Sequence, residues 1–248
     1  VRLWDAASGR ELRSLVEHGG GVQSVAIAPD GSWLASGGDD GSLRLWDAAS
    51  GRELRSLVGH GTRVQSVAIA PDGSWLASGG SDRSVRLWDA ASGRELRSLI
   101  GHDRWVQSVA IAPDGSWLAS GGDDGSLRLW DAASGRELRS LVGHRGGVVS
   151  VAIASEGRLF VAGDLLSCYP SPAAWPTGAL PQRIFESRVV QEGVVTVYPD
   201  GTHAGNGAAL EWLEYEEIAP ATSAADGKRD VFPTLHRATD LPWLRRKD

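Results

Sequence analysis

Methionine is absent from all 248 residues, and cysteine occurs once, at Cys168. One thiol excludes an internal disulfide framework and leaves no cysteine spacing for a structural zinc, so no metal or cofactor is expected and the cytoplasm is the favoured compartment. Basic residues are also in deficit. Lys plus Arg number 25 against 31 Asp plus Glu, giving a formal net charge of -6 and a pI near 5.5. Nucleic-acid binders usually carry a clustered basic excess, so nucleic acid is not an expected partner. Apolar runs are short, VAIA being typical, and fall far below the roughly 20 residues that cross a bilayer. No signal-like start is present, and no membrane partner is expected. Lysine is confined to Lys228 and Lys247 while arginine, alanine and glycine abound, the usage expected of a GC-rich bacterial genome. The chain opens on Val1-Arg2-Leu3-Trp4-Asp5, in the middle of a motif that recurs downstream, and so reads as a piece of something longer.

What is present is repetition. Trp-Asp pairs fall at Trp4-Asp5, Trp46-Asp47, Trp88-Asp89 and Trp130-Asp131, each 42 residues after the last. His18, His60, His102 and His144 keep the same step, and AASGRELRSL follows every Trp-Asp pair unchanged. A fixed period near 40 residues marks an array of identical supersecondary units. Within one unit, VQSVAIA (22–28), WLASG (33–37), LRLWD (43–47) and ELRSLV (53–58) have strand length and composition. PDGS, GGDDGS and DAASGR between them carry the Gly and Asp chemistry that reverses a chain between antiparallel strands. Four-stranded sheets with apolar residues on both faces cannot cover themselves, so the units must lean on one another around an axis, giving an all-β propeller of four-stranded blades. A helical reading fails, because Gly and Pro interrupt nearly every ten-residue window.

The Gly-His pair followed by SVAIAPDGSWLASGGDDGSLRLWD resembles the unit of the WD-repeat propeller family. The resemblance covers residues 1 to about 163, with several motif positions agreeing in each of three full units. It implies that sequence repeats and structural blades are offset, so that Val1 to Val16 supply only two outer strands. The expected organisation is a propeller over 1–163, with three full blades and partial blades at both ends, and an irregular tail over 164–248.

Each full unit sets four polar or aromatic residues in register: His18, Ser36, Asp40 and Trp46; His60, Ser78, Asp82 and Trp88; His102, Ser120, Asp124 and Trp130. Ser, His and Asp together invite a hydrolase reading. The family resemblance implies instead a structural hydrogen-bond chain running from the His through Ser and Asp to the indole N–H of Trp. A buried indole needs one acceptor, and a constellation repeated in every blade serves the blade and not a single reaction site. No catalytic residue is therefore expected. The fourth unit, aligned by the same step after Ala154, places Ala162 where the others have serine and Leu166 where they have aspartate. The acid pairs Asp39-Asp40 and Asp123-Asp124 fall short of the six to eight oxygens that calcium takes. Trp33, Trp75 and Trp117 recur at one strand position and are expected to pack.

Positions that differ between near-identical copies are not needed to make a blade. The differences concentrate in two loops: GGG, GTR, DRW and RGG at 19–21, 61–63, 103–105 and 145–147, and DDG, SDR and DDG at 39–41, 81–83 and 123–125. Strand alternation puts both loops on one rim, while APDGS and DAASGRE on the other rim do not vary across the complete units. The variable rim carries Arg63, Arg83, Arg104, Trp105 and Arg145. Tryptophan and arginine dominate binding hot spots, so these five are the expected contacts for a protein or peptide partner, with Trp105 foremost.

Periodicity ends after residue 163. YPSPAAWPTGALPQ reads as a loop, RIFESRVV (183–190) and VVTVY (194–198) as a hairpin or degenerate blade, and AALEWLEYEEI (208–218) as helix or strand. Three closures are open: strands 148–154 and 158–163 joining the two N-terminal strands, the tail supplying further blades, or two chains sharing one ring. The leading functional expectation is a non-catalytic interaction scaffold or sensor module. The alternatives are a self-assembling structural propeller, which makes a homo-oligomer, and chemistry in the tail using His203, His236 or Cys168 with a carboxylate such as Glu214.

Overall fold

Turn residues recur at the same points of every unit, and six-residue runs rich in Val, Ile, Leu and Trp lie between them, so strands of equal length are the local outcome. The computed structural model describes residues 1–142, 144, 146–155, 157–163, 166–169, 185–190, 193–197 and 203–205. No helix occurs among them. Two short strands come first, β1 (Arg2–Trp4) and β2 (Glu11–Ser14). Three blades follow: β3 (Val22–Ile27), β4 (Trp33–Gly38), β5 (Ser42–Asp47) and β6 (Glu53–Val58); β7 (Val64–Ile69), β8 (Trp75–Gly80), β9 (Ser84–Asp89) and β10 (Glu95–Ile100); β11 (Val106–Ile111), β12 (Trp117–Gly122), β13 (Ser126–Asp131) and β14 (Glu137–Val142). The last sheet contains β15 (Ser150–Ile153), β16 (Leu159–Ala162), β17 (Leu166–Tyr169), β18 (Phe185–Val190), β19 (Gly193–Val197) and β20 (His203–Gly205).

Every blade is an antiparallel meander in which each strand pairs with the next, in one register: Leu34 faces Trp46, Leu76 faces Trp88 and Leu118 faces Trp130. The core lies between blades. Ala35, Leu43, Leu45 and Leu57 of the first blade meet Val64, Val67, Leu76 and Trp88 of the second, and the same set recurs one blade on. A fully buried Leu or Val of this kind stabilises by about 1.5–3 kcal/mol, so these seams hold the array together. Trp33, Trp75 and Trp117 pack against the same seams, as expected. Glycine is required where blades touch. A Cβ on Gly37 would lie 2.5 Å from Val64 Cγ1, and Gly79 and Gly121 stand equally close to Val106 and Val148. A polar tie crosses each seam as well: Ser24 Oγ accepts from Val67 N–H at 3.0 Å, Ser66 from Val109 at 3.1 Å and Ser108 from Val151 at 3.0 Å.

The ends differ from the middle. β1 and β2 form a two-stranded sheet packed on Leu34 and Trp46, as the offset between repeat and blade implied. The six-stranded last sheet runs on across residue 163, and the expected 183–190 and 194–198 hairpin is present as β18 and β19. β16 pairs with β17, so the closure that joined 158–163 to the N-terminal strands is not the one formed. Alignment by the 42-residue step also misplaced two residues. Val161 faces Val151 as Ser120 faces Val109, so Val161, and not Ala162, occupies the serine position. Leu166 pairs with Ala162 as Leu127 pairs with Gly121, so it replaces a strand leucine and not the aspartate. The cause is a turn shortened by one residue at 154–159 and another shortened by two after Gly163. The 208–218 segment, Glu214 and His236 lie outside the described residues.

Candidate functional site

The polar sets are assembled by strand pairing. Ser36, at the centre of β4, lies beneath the loop that carries His18, and Trp46 reaches it from β5. The indole N–H of Trp46 donates to Ser36 Oγ at 2.8 Å, His18 Nε2 lies 2.7 Å from the same oxygen, and His18 Nδ1 lies 3.1 Å from both Asp40 carboxylate oxygens. The second blade repeats this with Trp88, Ser78, His60 and Asp82 at 2.8, 2.7 and 3.0 Å. In the third, Trp130 and His102 both lie 2.8 Å from Ser120, and Asp124 lies 3.0 Å from His102 Nδ1. The order is therefore Trp to Ser to His to Asp, with serine and not aspartate accepting from the indole, which corrects the expected wiring. A neutral imidazole donating from Nδ1 accepts the serine proton at Nε2, so every donor has one acceptor. A further serine had escaped notice: Ser42, Ser84 and Ser126 each donate to the same Asp at 2.7–2.8 Å. Their recurrence two residues after each Asp was the available signal.

Burial opposes ionisation of Asp40 and Asp82, but it is outweighed. Hydrogen bonds from Gly19 N–H and Ser42 in one case, and from His60 and Ser84 in the other, hold both carboxyls well below the usual range. Asp124 is lowered against burial in the same way by Ser126 and the Asp103 N–H. Burial pushes His102 below its ordinary value, against the pull of the Asp124 carboxylate. In the third blade, neutral His102 facing an Asp124 carboxylate is the state these shifts favour. Ser36, Ser78 and Ser120 are fully buried and already hold the indole, so each hydroxyl is sealed from any carbonyl a nucleophile would have to reach.

The variable rim is different. Its two loops touch within each blade, through Asp39 N–H to Gly21 O, Ser81 N–H to Arg63 O and Asp123 N–H to Trp105 O at 2.8–2.9 Å, so both lie on one face. Between the second and third blades, Arg83, Asp103, Arg104, Trp105 and Asp123 line a cleft of about 320 Å³. Trp105 is 47 % exposed, unlike the buried tryptophans of the blades. Asp123 accepts from the Gln107 amide at 2.8 Å. The five expected contact residues divide. Arg83, Arg104 and Trp105 come together in this cleft; Arg63 forms an ion pair with Asp39 of the preceding blade; and Arg145 lies outside the described residues. Of the tail alternatives, Cys168 is buried in β17 and His203 is in β20. Among the described residues no group of three His, Cys, Asp or Glu is placed to hold a metal ion, and no helix is long and apolar enough to cross a membrane.

Arg83 has a backbone feature that the glycines of its sister loops signal. Its φ is +69°, the only positive value at a non-glycine position among the described residues, and the equivalent positions are Gly41 and Gly125 at +75° and +73°. A Cβ at Gly41 would lie 3.0 and 3.1 Å from two carbonyl oxygens of the next blade. An arginine therefore stands at a left-handed position where its sister loops carry glycine, at a cost of about 1–2 kcal/mol.

Comparison with known proteins bears on the whole array. A family model described as WD domain, G-beta repeat matches residues 9–47, 51–89, 93–131 and 135–168, about three-fifths of the chain. A curated protein of Chlamydomonas reinhardtii, Centriole proteome protein 16, is 58% identical over 40 residues, which are 16% of this chain and 2% of that protein. The crystal structure of RRP9 WD40 repeats and the structure of U3-55K each match with a TM-score of 0.64 at 25% identity over 79% of this chain. They are covered over 62% and 64% of their own lengths, so the chain spans less than two-thirds of either.

Proposed function

The chain belongs to the WD40-repeat family, whose propellers are generally protein-interaction scaffolds, and on that premise we propose that it captures a protein or peptide partner on the variable rim, without catalysis, through the cleft of Arg83, Arg104 and Trp105. The observation that carries this reading is Arg83. A left-handed position favours glycine, so an arginine standing there against the backbone, beside a half-exposed tryptophan, supports a recognition role. The chemistry fits a protein partner better than a nucleic acid. Two arginines are balanced by Asp103 and Asp123 in the same cleft, whereas a phosphate-tracking surface needs unbalanced positive charge. The lone buried cysteine accords with a cytoplasmic setting for that partner.

The test is affinity capture with the parent chain, the double variant R104A/W105A, and a control on the opposite rim, D114A. Proteins held by parent and control should be lost from the double variant, with folding intact by circular dichroism. Truncating a central Trp typically costs at least about 2 kcal/mol, or roughly thirtyfold in affinity. Capture that survives the double variant unchanged removes this rim from consideration.

A further inference from the structure

The seams between blades differ on the variable rim, and one of them is a template for what the cleft can hold. At the first seam Arg63 reaches back from the loop before β7 to pair with Asp39 Oδ1, which also accepts from the Gln23 amide at 2.8 Å. Asp123 stands at the Asp39 position of the third blade and keeps the amide half of this arrangement, accepting from Gln107 at 2.8 Å. The arginine half is missing. Gly147 stands at the Arg63 position of that seam, where an added Cβ would lie 3.0 Å from Asp123 Oδ1, and among the described residues no cation pairs with Asp123. At the second seam both partners are replaced: Ser81, whose Oγ accepts from the Gln65 amide at 3.1 Å, stands for Asp39, and Trp105 stands for Arg63. A hydroxyl and an indole make no ion pair, so no such bridge spans the mouth, and the cleft lies open there with Asp123 on its wall. Its charged lining, Arg83, Arg104, Asp103 and Asp123, forms no ion pair among the described residues, whereas Arg44, Arg86 and Arg128 on the strands are each paired with a glutamate.

We infer that the cleft selects a peptide segment anchored by an arginine side chain, which supplies to Asp123 the guanidinium that Arg63 supplies to Asp39, and that a carboxylate of the same segment falls to Arg83 and Arg104. The inference rests on the rim cleft proposed above and names the chemistry of its occupant. A guanidinium suits this place because it is flat: its face stacks on the half-exposed Trp105 while its edge donates to Asp123. An ammonium has no such face to lay on the indole, so lysine is the weaker anchor. The flanking acid follows from the other two charges. A purely basic segment would set like charge against Arg83 and Arg104, and a purely acidic one would do the same to Asp103 and Asp123, so the lining rejects both and accepts a segment carrying each sign.

The probe is a positional-scanning library of acetylated hexapeptide amides, passed over the immobilised full chain. The expected result is selection of arginine over lysine and over every neutral residue at one position, with Asp or Glu selected close to it. The hexapeptide so defined, labelled and titrated by fluorescence anisotropy, should bind about tenfold or more weakly when citrulline, which keeps the shape and loses the charge, replaces its arginine. That penalty should vanish on the Asp123→Asn chain, which folds because asparagine keeps an oxygen for the Gln107 amide, while the penalty for replacing the peptide's acid should remain there and vanish on Arg104→Ala. A library that selects no arginine, or a citrulline penalty that persists on Asp123→Asn, overturns the inference. Capture lost from R104A/W105A but undiminished on Asp123→Asn overturns it too and leaves the rim as the partner site; capture that survives R104A/W105A removes the site and the inference together.

Discussion

The two rims of the blades are made by the same strands and behave in opposite ways. On the invariant rim every turn closes on itself: Asp30, Asp72 and Asp114 each take the N–H and hydroxyl of the serine two residues on, and Asp47, Asp89 and Asp131 do the same with the serine three residues on. On the variable rim the Asp–His–Ser–Trp chains hold the loop bases, while the loop tips carry Arg83, Arg104 and Trp105 into an open cleft. Local hydrogen bonding that satisfies a turn also leaves it little to offer a partner. A rim anchored from below can vary at its tips while the strands of the blade keep their register.

Acid should break the contrast most widely, because it strikes three anchors together. Asp40, Asp82 and Asp124 titrate below their unfolded value, and a depressed carboxyl contributes stability that is complete above about pH 4 and is lost as pH falls through the folded value. His102 is also depressed, so its contribution is complete above about pH 6.5 and declines below it. Both act in one direction, and melting temperature followed from pH 7 to 2 should fall monotonically, with the steeper loss below pH 4. A flat profile would mean that the anchors carry no stability.

Next in size is Ser78→Ala. It strips the acceptor from a buried indole and the partner from a buried imidazole, and should cost about 2–3 kcal/mol in urea denaturation. Arg83→Gly comes third and has the opposite sign: relief of the left-handed strain should stabilise the fold by about 1 kcal/mol. The smallest effect belongs to the invariant rim, where Asp72→Ala disturbs one exposed turn and should stay within about 0.5 kcal/mol by the same denaturation measurement.

Sequence alone exposed much of this and hid the rest for definite reasons. The strands of the full blades lie within a residue of the runs read from one repeat, because Gly and Asp turns bracket them at every copy. The members of each polar set were visible as residues in register, but not their order, since spacing does not say which oxygen faces the indole. The fourth unit misled because a fixed step ignores deletions. One residue lost before β16 moved Val161 under the serine position. The pairing of Arg63 with Asp39 joins two blades and has no local signature. Arg83 was different, because glycine at the matching position of both sister loops already marked a left-handed turn.

Partner binding by Arg83→Gly is the most direct trial of the account. Take the protein captured by the parent chain and remeasure its dissociation constant with this variant, alongside the melting temperature. Affinity weakened about tenfold or more in a chain that melts no lower than the parent is the predicted result. Unchanged affinity would contradict the claim that the strained arginine is there to meet a partner.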